Sequence, residues 1–542
     1  MFDEYPRPQM ERDTWINLCG PWDYAITRTA APPKTWDGTI TVPFSPEAPA
    51  SGVNRTLAPG EYLWYHRRVT FPTGGKVLLH FGAVDQRAVV WCNGWEIGSH
   101  TGGYTPFTVD ITDTLEDGRE ADILVAVRDD TDASPLARGK QKTQRGGIWY
   151  TPQSGIWQPV WAETVPERYI KKLRIEPDFD SAAVTVTAEP GGTVLFQDRA
   201  YESPARIPVP DMIPWSPENP HLYEFTVTLG EDRVKSYFAM RKFSAQDGKL
   251  YLNNEPYFHN GVLDQGYHPD GLYTYPSDEA MVDDIQLAKS LGFNTLRKHI
   301  KVEPLRWYYH CDRLGMLVWQ DMPNGGDGQY RMGVIQLPAV GLGQGLKDDK
   351  YARFARADRL GRRQFETELR EMIDTLYNCP CIAMWVPFNE GWGQFDAARI
   401  RELVKSLDPS RTVDHASGWH DQGGGETQSL HVYFRKYKYE PDAEGRAVLL
   451  SEFGGYNLRV AGHTFNDKDF GYSRCRNAQA LEKKLRRLYE QQITPAKRAG
   501  LAAAIYTQLT DVEDELNGFV TYDRQVVKLP TETVGKIVNM ES

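Results

Sequence analysis

Short apolar or alternating runs, separated by turn signals, make up the chain to about residue 165. Asn93 and Gly94 form the strongest turn signal, because both residue types tolerate the positive φ of a two-residue hairpin. Many short, closely spaced strands without helical periodicity are typical of a sandwich. We therefore predict a β-sandwich over residues 1–165, with strands at 77–81, 88–91, 123–127 and 160–162.

Residues 166–243 continue the alternation with fewer strands. A segment of about 80 residues with this pattern suits a small immunoglobulin-like β-sandwich. The segment contains no cysteine, so it lacks the disulfide of antibody domains. The predicted strands are 172–176, 183–187 and 223–229.

From about residue 244, strand-like and helix-like segments alternate. Eight strands interleaved with helices in about 300 residues predict a (β/α)₈ barrel over residues 244–542. The sixth helix is weak in this pattern. A glycine-rich stretch, 322–360, follows the third strand, so we expect it over the barrel mouth. The predicted strands are 257–262, 294–297, 316–320, 382–388, 412–414, 429–433, 447–451 and 503–508, and the predicted helices are 279–291, 303–314, 363–377, 397–407 and 478–492.

Composition narrows the range of partners. The chain has 542 residues, of which 40% are hydrophobic and 25% charged, as in an ordinary soluble protein. The formal net charge of -11 disfavours nucleic acid, which needs a basic face. We expect no membrane span, because the sequence has no apolar run of about 18 residues. Six cysteines are too few for a disulfide framework. We expect free thiols and a cytoplasmic protein.

Two predicted strands each end in a carboxylate. The fourth strand runs into Asn389-Glu390-Gly391, and the seventh runs into Ser451-Glu452. Active sites of such barrels lie at the C-terminal ends of the strands. Strands four and seven lie across the barrel mouth from each other. We therefore expect Glu390 and Glu452 to face each other.

Two opposed carboxyl groups are what glycoside hydrolysis requires. One gives its proton to the leaving oxygen, and the other, ionised, attacks the anomeric carbon. The charge on the second raises the pKa of the first. A separation of about 5–5.5 Å predicts a covalent intermediate and retention of configuration, whereas a wider gap predicts inversion. Arg297, at the end of strand two, is expected to hold the nucleophile ionised.

Several stretches match the motifs of one known family. Asn389-Glu390 matches an acid/base motif, and the stretch from Ser451 to Gly455 matches a nucleophile motif. Together with these, residues 15–24, 146–149, 154–161, 250–256, 259–262 and 289–297 complete the match. The chain thus resembles glycoside hydrolase family 2, which includes β-galactosidases, β-mannosidases and β-glucuronidases. The resemblance covers essentially the whole chain.

The resemblance implies a fold and a role for each matching residue. It implies an N-terminal jelly-roll domain of the sugar-binding type, an immunoglobulin-like domain and a catalytic barrel. By this resemblance Glu390 is the acid/base and Glu452 the nucleophile. Asn389 is expected to hydrogen-bond the 2-hydroxyl of the sugar. Tyr433 is expected to contact the nucleophile, and Arg297 to lie beneath it.

The chain departs from the family after strands one, two, three and eight, where side chains shape the pocket. A galactoside is the first expectation, by family frequency. The Asn-x-Lys-Gly pattern of β-glucuronidases is absent, which argues against a glucuronide. Further candidates for the pocket lining, all at strand ends, are Asp264, Gln265, Lys298, His299, Trp319, Asp321, Trp392, His431 and Gln508.

Three functional hypotheses follow. The first is a retaining exo-β-glycosidase of the β-galactosidase type. The second is the same chemistry on an unusual sugar, such as a furanoside or an α-L-arabinoside. The third is a catalytically inactive, carbohydrate-binding relative. We expect a carbohydrate partner, no metal site and no required cofactor, although some relatives bind magnesium or sodium near the acid/base. Family members often form homo-oligomers, and the charge does not forbid one.

Overall fold

The computed structural model describes residues 2–115, 118–327 and 331–540. Two antiparallel β-sandwiches are followed by an eight-stranded parallel barrel, as the sequence pattern predicts. The six cysteines are free thiols, which confirms that prediction. None of the helices in these ranges combines the length and the apolarity that a bilayer crossing requires.

The first β-sandwich packs a four-stranded sheet against a six-stranded sheet. Ala88, Val90 and Cys92 alternate with more exposed residues along one strand, so one face of the sheet enters the core. Asn93 and Gly94 have φ of +49° and +81° and form the predicted hairpin. The strands of the four-stranded sheet are, in order, Trp15–Asn17, Val160–Val165, Lys76–Phe81 and Phe107–Asp110. Those of the six-stranded sheet are Gly38–Val42, Gly20–Thr27, Tyr62–Thr70, Glu120–Arg128, Arg87–Cys92 and Trp95–Thr101. A separate short pair joins Val84–Asp85 to Gly155–Ile156.

The second β-sandwich is a seven-stranded, immunoglobulin-like unit. Its two sheets enclose an apolar core that includes Val186, Val194 and Val227. A small three-stranded sheet then leads into the barrel. One sheet of the sandwich contains Lys172–Asp178, Ala183–Glu189 and Ala205–Pro208, and the other contains Arg199–Glu202, Thr193–Phe196, Tyr223–Leu229 and Asp232–Phe238. The small sheet that leads into the barrel contains Phe243–Gln246, Lys249–Leu252 and Glu255–Pro256.

The barrel has eight parallel strands, which are β1 (His259–Asp264), β2 (Thr295–Lys298), β3 (Leu317–Asp321), β4 (Ile382–Val386), β5 (Thr412–Val413), β6 (Thr427–Val432), β7 (Ala447–Gly454) and β8 (Ala503–Thr507). In sheet order they run β5-β4-β3-β2-β1-β8-β7-β6. In the described chain no backbone ladder joins β5 to β6, so the barrel is nearly closed. The barrel interior is filled by side chains such as Leu263, Met384 and Leu449. Two further short strands, Tyr456–Asn457 and Ser473–Arg474, pair outside the barrel.

Helices cover part of the outside of the barrel. Within residues 414–426 and 433–446, which follow β5 and β6, the structure contains no helix, and the second of these segments agrees with the weak pattern of the sixth helix. The predicted helix 478–492 is interrupted by a π-turn at Tyr489–Ile493. This turn precedes Pro495, which has no backbone N–H to donate. The helices are α1 (Asp278–Ser290), α2 (Leu305–Leu314), α3 (Gln336–Ala339), α4 (Arg359–Leu376), α5 (Ala397–Leu407), α6 (Ala478–Leu488), α7 (Thr494–Ala499) and α8 (Thr531–Val538), with 3₁₀ turns at Pro8–Met10, Pro49–Ser51, Thr112–Thr114, Thr131–Ala133 and Tyr351–Phe354.

Candidate active site

Two buried carboxyl groups face each other at the mouth of the barrel. Glu390 follows β4 and Glu452 lies near the end of β7, and they are 7% and 4% exposed. One oxygen of each carboxyl group and one ring nitrogen of His431 all lie within 4.8 Å of one another. The two glutamates singled out by the sequence pattern therefore share one small volume.

The backbone at the strand ends sets the direction of these side chains. Glu390 has a φ of +53°, and its amide donates to the carbonyl of Ser417 at 2.8 Å. Register shifts interrupt the pairing of β7 with both β6 and β8 beside Glu452. Bulges of this kind re-aim side chains and are frequent next to active sites, as are left-handed non-glycine residues.

His431, on β6, connects the two carboxyl groups to Arg297. Its Nδ1 lies 2.8 Å from Oε1 of Glu390 and 3.5 Å from Oε2 of Glu452, and its Nε2 lies 3.3 Å from Nη1 of Arg297. A guanidinium only donates, so Nε2 accepts and the hydrogen on Nδ1 is directed to Glu390. Burial lowers the pKa of His431 to about 4, which keeps the ring neutral.

Arg297, on β2, is the central donor of the site. Its fully buried guanidinium donates to Glu452 at 3.2 Å, to Asp321 at 3.0 Å and to Oδ1 of Asn389 at 2.9 Å. The last bond orients the Asn389 amide, whose Nδ2 is buried and has no partner among the described residues. Asn389 thus keeps one donor for a ligand.

The two carboxyl groups differ in the donors around them. Burial raises the pKa of both, that of Glu390 to about 7. Glu452 accepts hydrogen bonds from Arg297 and from the hydroxyl of Tyr433, whereas in the described chain the Glu390 carboxyl group accepts one from His431 alone. Donors stabilise an anion. These donors therefore favour the negative charge of the pair on Glu452 rather than on Glu390.

Further contacts fix this arrangement before any ligand binds. Nδ1 of His299 lies 2.9 Å from Oδ2 of Asp321 and 3.9 Å from Oε1 of Glu452. The ring of Tyr433 stacks on Tyr472, with centroids 3.8 Å apart. Preorganised dipoles and charges of this kind need no rearrangement when charge develops in a reaction.

A second polar group lies at the ends of β1, β2 and β8. Gln265 donates to Gln508 at 2.9 Å. The ammonium of Lys298 lies 2.7 Å from the carboxylates of both Asp264 and Glu303, and all three residues are buried. The charges of Asp264 and Lys298 are therefore paired within the protein.

The two tryptophans predicted for the pocket lie in different surroundings. Trp392 follows Glu390 closely in the chain, and its ring packs against that of Trp149, with ring centroids 4.9 Å apart. Trp319 is fully buried in the apolar interior of the barrel and donates to Nδ1 of His259 at 2.9 Å. These contacts lie in the barrel interior and give no support to the prediction that Trp319 lines the pocket.

Side chains from outside the strand ends, which the sequence pattern missed, also reach the site. Lys140 and Trp149 come from the first β-sandwich, and Tyr472 comes from the loop after β7. Lys140 is 7% exposed, and in the described chain its ammonium has no hydrogen bond or ion pair, only the ring faces of Tyr150 and Trp392 at 5.5 and 5.9 Å. The motif around Trp149 signals its loop, but no local pattern marks Lys140.

A cavity of about 640 Å³ opens beside Glu390. Its walls come from the first β-sandwich, from the long segment after β3, from the segments after β4, β5 and β6, and from the loop after β7. The glycine-rich stretch 322–360 thus lies at the site as predicted, although its residues 328–330 lie outside the described ranges.

Comparison with known families finds three matching models along the chain. The model described as "Glycosyl hydrolases family 2, sugar binding domain" matches residues 18–166, "Glycosyl hydrolases family 2" matches residues 172–241, and "Glycosyl hydrolases family 2, TIM barrel domain" matches residues 243–453.

Among curated proteins, the chain is similar to a "Putative beta-glucuronidase" of Formosa agariphila, 24% identical over 504 residues, which are 80% of this chain and 54% of the relative. It is also similar to a "Beta-galactosidase" of Thermoanaerobacter pseudethanolicus, 24% identical over 446 residues, 75% of this chain and 55% of the relative. The chain spans about half the length of these curated relatives.

Among solved structures, a β-D-glucuronidase from Dictyoglomus thermophilum superposes with a TM-score of 0.76 at 17% identity, covering 100% of this chain and 99% of that chain. A family 2 β-galacturonidase from Eisenbergiella tayi bound to galacturonate superposes with a TM-score of 0.72 at 19% identity, covering 99% and 100%. These likenesses show the fold.

Proposed function

Because the chain belongs to glycosyl hydrolase family 2, we propose that it removes terminal β-linked sugars with retention of configuration. One observation carries the proposal: two buried carboxyl groups with oxygens within 4.8 Å have unequal sets of donors. The short separation fits direct attack by one carboxylate on the sugar. Inverting enzymes leave room for water between carboxyl groups about 6.5–9.5 Å apart.

In the first half of the reaction, Glu452 attacks the anomeric carbon while Glu390 gives its proton to the glycosidic oxygen. A bond forms between a Glu452 oxygen and the anomeric carbon, and the aglycone leaves as a neutral alcohol or phenol. Arg297 and Tyr433 keep Glu452 ionised for the attack. The pKa of Glu390, raised by burial to about 7, keeps its proton available near neutral pH.

In the second half, the Glu390 carboxylate takes a proton from water. The water oxygen attacks the anomeric carbon, and the bond to Glu452 breaks. Two successive displacements restore the starting configuration. Esterified Glu452 carries no charge, so the pKa of Glu390 falls and suits a base. No step is assigned to a cofactor or a metal ion.

We propose that Asn389 binds the 2-hydroxyl of the sugar. Its Oδ1 is held by Arg297, and its unpartnered Nδ2 is the donor for that contact. A hydrogen bond to the 2-hydroxyl strengthens in the transition state. Gln265, His299 and Asp321, at neighbouring strand ends, are proposed to contact the other hydroxyls.

A β-galactoside is the first candidate substrate, because curated relatives include β-galactosidases. The non-standard residues after β1, β2, β3 and β8 support a furanoside or an α-L-arabinoside as the alternative. The complete set of donors around Glu452 argues against a binding protein without activity, since such a protein has no use for an ionised nucleophile.

One observation favours a sugar that itself carries a carboxylate. Lys140 is buried, its charge acts on Glu390, and its ammonium forms no close ion pair with an acidic side chain of the described chain. A buried ammonium is costly until a counter-charge pairs with it, and a uronic acid would supply one. Structural relatives include a β-D-glucuronidase and a β-galacturonidase. A β-uronide is therefore the second candidate.

The test is hydrolysis of 4-nitrophenyl β-D-galactoside, β-D-glucuronide, β-D-galacturonide, β-D-galactofuranoside and α-L-arabinoside, with the first-formed anomer identified by proton NMR. We expect the protein to hydrolyse at least one of these glycosides and to release the sugar first as the anomer of retained configuration. For a uronide, Lys140→Met should lower kcat/KM by about tenfold to hundredfold, the value of one charged hydrogen bond of about 1.5–3 kcal/mol. An inverted first product, or no turnover, contradicts the proposal.

A further inference from the structure

The cavity beside Glu390 is lined by one member of the carboxyl pair. Glu390 contributes to its wall, whereas Glu452 is not among the described residues that line it. The acid/base protonates the oxygen between sugar and aglycone, so a cavity bounded by the acid/base alone receives the aglycone. This inference rests on the proposed function and goes beyond it by asking what the aglycone is.

The cavity walls are mainly aromatic and apolar. Tyr472 is the centre of one wall: its ring stacks on Tyr433 and meets Phe434 and Phe470 edge-on, with centroids 5.5 and 5.9 Å away. Ten of the fifteen lining residues are apolar or aromatic. The aromatic ones are Trp149, Trp419, Tyr433, Phe434, Phe470 and Tyr472.

Two of the polar groups on the walls are engaged by neighbouring side chains. The hydroxyl of Tyr433 contacts Glu452 and lies 3.0 Å from Oγ1 of Thr507. The ammonium of Lys142 lies over the ring of Trp149, 4.1 Å from its centroid. Hydroxyl groups of a second sugar ring that faced the aromatic walls would be buried without partners, which costs free energy. Flat apolar ligands carry no such penalty.

The outer rim of the cavity is exposed and apolar. Val340 and Phe434 both line it, and they are 55% and 58% exposed. Leu337 and Leu342, next to Val340 in the chain, are 42% and 60% exposed. Four of the eleven large hydrophobic residues exposed in the described chain fall within residues 332–342. Exposed apolar side chains concentrated at a cavity mark a surface that a ligand covers.

We propose that this cavity binds a planar aromatic aglycone of at least two fused rings. Offset and edge-on contacts with the Tyr472 wall favour a flat ring system, and the cavity, at about 640 Å³, accommodates more than one ring. The substrates are then aryl β-glycosides of fused-ring phenols rather than disaccharides.

The experiment compares the 2-naphthyl and phenyl β-glycosides of the preferred sugar, whose leaving phenols have similar acidity, with the disaccharide that links this sugar to glucose. We expect kcat/KM for the naphthyl glycoside to exceed that for the phenyl glycoside at least about tenfold, mainly through KM; this corresponds to about 1.4 kcal/mol. The disaccharide should be the poorest substrate. Phe434→Ala should remove most of the naphthyl preference.

Trp95→Ala is the matched control, because Trp95 is an aromatic residue of the first β-sandwich, 70% exposed and away from the cavity lining. It should keep the naphthyl preference of the wild type. Equal kcat/KM for the two aryl glycosides, or a preference for the disaccharide, overturns the aglycone proposal and leaves the proposed function standing. Failure to cleave any of the three glycosides contradicts the proposed function instead.

Discussion

Two glutamates of the same chemistry are surrounded by different groups. Arg297 and Tyr433 donate to Glu452, while the neutral ring of His431 donates to Glu390. Burial raises the pKa of Glu390 to about 7, and the nearby ammonium of Lys140 opposes that rise. Residues of both the barrel and the first β-sandwich therefore act on the pKa of Glu390.

Removing the Lys140 charge should shift the pH profile. Glu390 must carry a proton to give it to the leaving oxygen, so kcat/KM should fall as the pH rises through the pKa of Glu390. In Lys140→Met the opposing charge is gone, and the falling limb should move to higher pH. The measurement is kcat/KM for an aryl glycoside across this range. Lys140→Arg keeps the charge and should retain the wild-type limb; a limb that moves to lower pH in Lys140→Met counts against the account.

Barrel topology explains which site residues the sequence could predict. Glu390, Glu452, Arg297 and Tyr433 all come at strand ends, which meet at one mouth. An apolar run does not show how deep each of its residues lies, and Trp319, which was predicted for the pocket, packs in the apolar interior of the barrel. Lys140 was missed because its place at the site depends on how a separate sandwich docks, which no local pattern records.

At the scale of elements, side chains complete the barrel where backbone pairing stops. The amide of Val413, on β5, donates to Oε2 of Glu426 at 3.1 Å, and the hydroxyl of Thr427, on β6, donates to the Val413 carbonyl at 3.2 Å. The alternating pattern predicted all eight strands, because each is a distinct apolar run. It could not predict this gap, since pairing between strands depends on the length and path of the connections.

Glu426→Ala should destabilise the barrel. It leaves the fully buried Val413 without the acceptor for its amide, at a cost of about 1–3 kcal/mol. The measurement is the free energy of unfolding in urea. Glu426→Gln keeps an acceptor oxygen and loses only the half-buried contact with Lys405, so it should cost less than about 1 kcal/mol. An equal loss of unfolding free energy in the two variants would show that the Glu426 acceptor for the Val413 amide is unimportant.

At the scale of the whole molecule, the first β-sandwich is part of the site. Arg145 contacts Glu513 at 3.3 Å and Asp514 at 3.0 Å, both in the loop after β8. The amide of Gly147 also donates to Asp514, at 3.3 Å. These contacts hold the loop that carries Trp149 against the barrel. The order of the domains along the chain was predictable from the sequence, whereas this interface between the first β-sandwich and the barrel was not.

Arg145→Met should weaken substrate binding more than chemistry. The loop that carries Trp149 would lose its ion pairs, so KM for an aryl glycoside should rise about tenfold, the equivalent of about 1.4 kcal/mol, with a smaller change in kcat. Arg68→Met is the control, because it breaks an ion pair of the same sandwich on an arginine that is 79% exposed. A KM unchanged in Arg145→Met would show that the docking of the sandwich does not shape the site.

The central claim, that Glu452 is the nucleophile and Glu390 the acid/base, is tested most directly by azide rescue of Glu452→Ala and Glu390→Ala with product configuration read by proton NMR. Each variant alone should hydrolyse an aryl β-glycoside at least about a thousandfold more slowly than the wild type. With azide, Glu452→Ala should yield the inverted glycosyl azide, because azide replaces the nucleophile. Glu390→Ala should yield the azide with retained configuration, because azide attacks the glycosyl-enzyme. Near wild-type hydrolysis by Glu452→Ala, or a retained azide from it, would contradict the account.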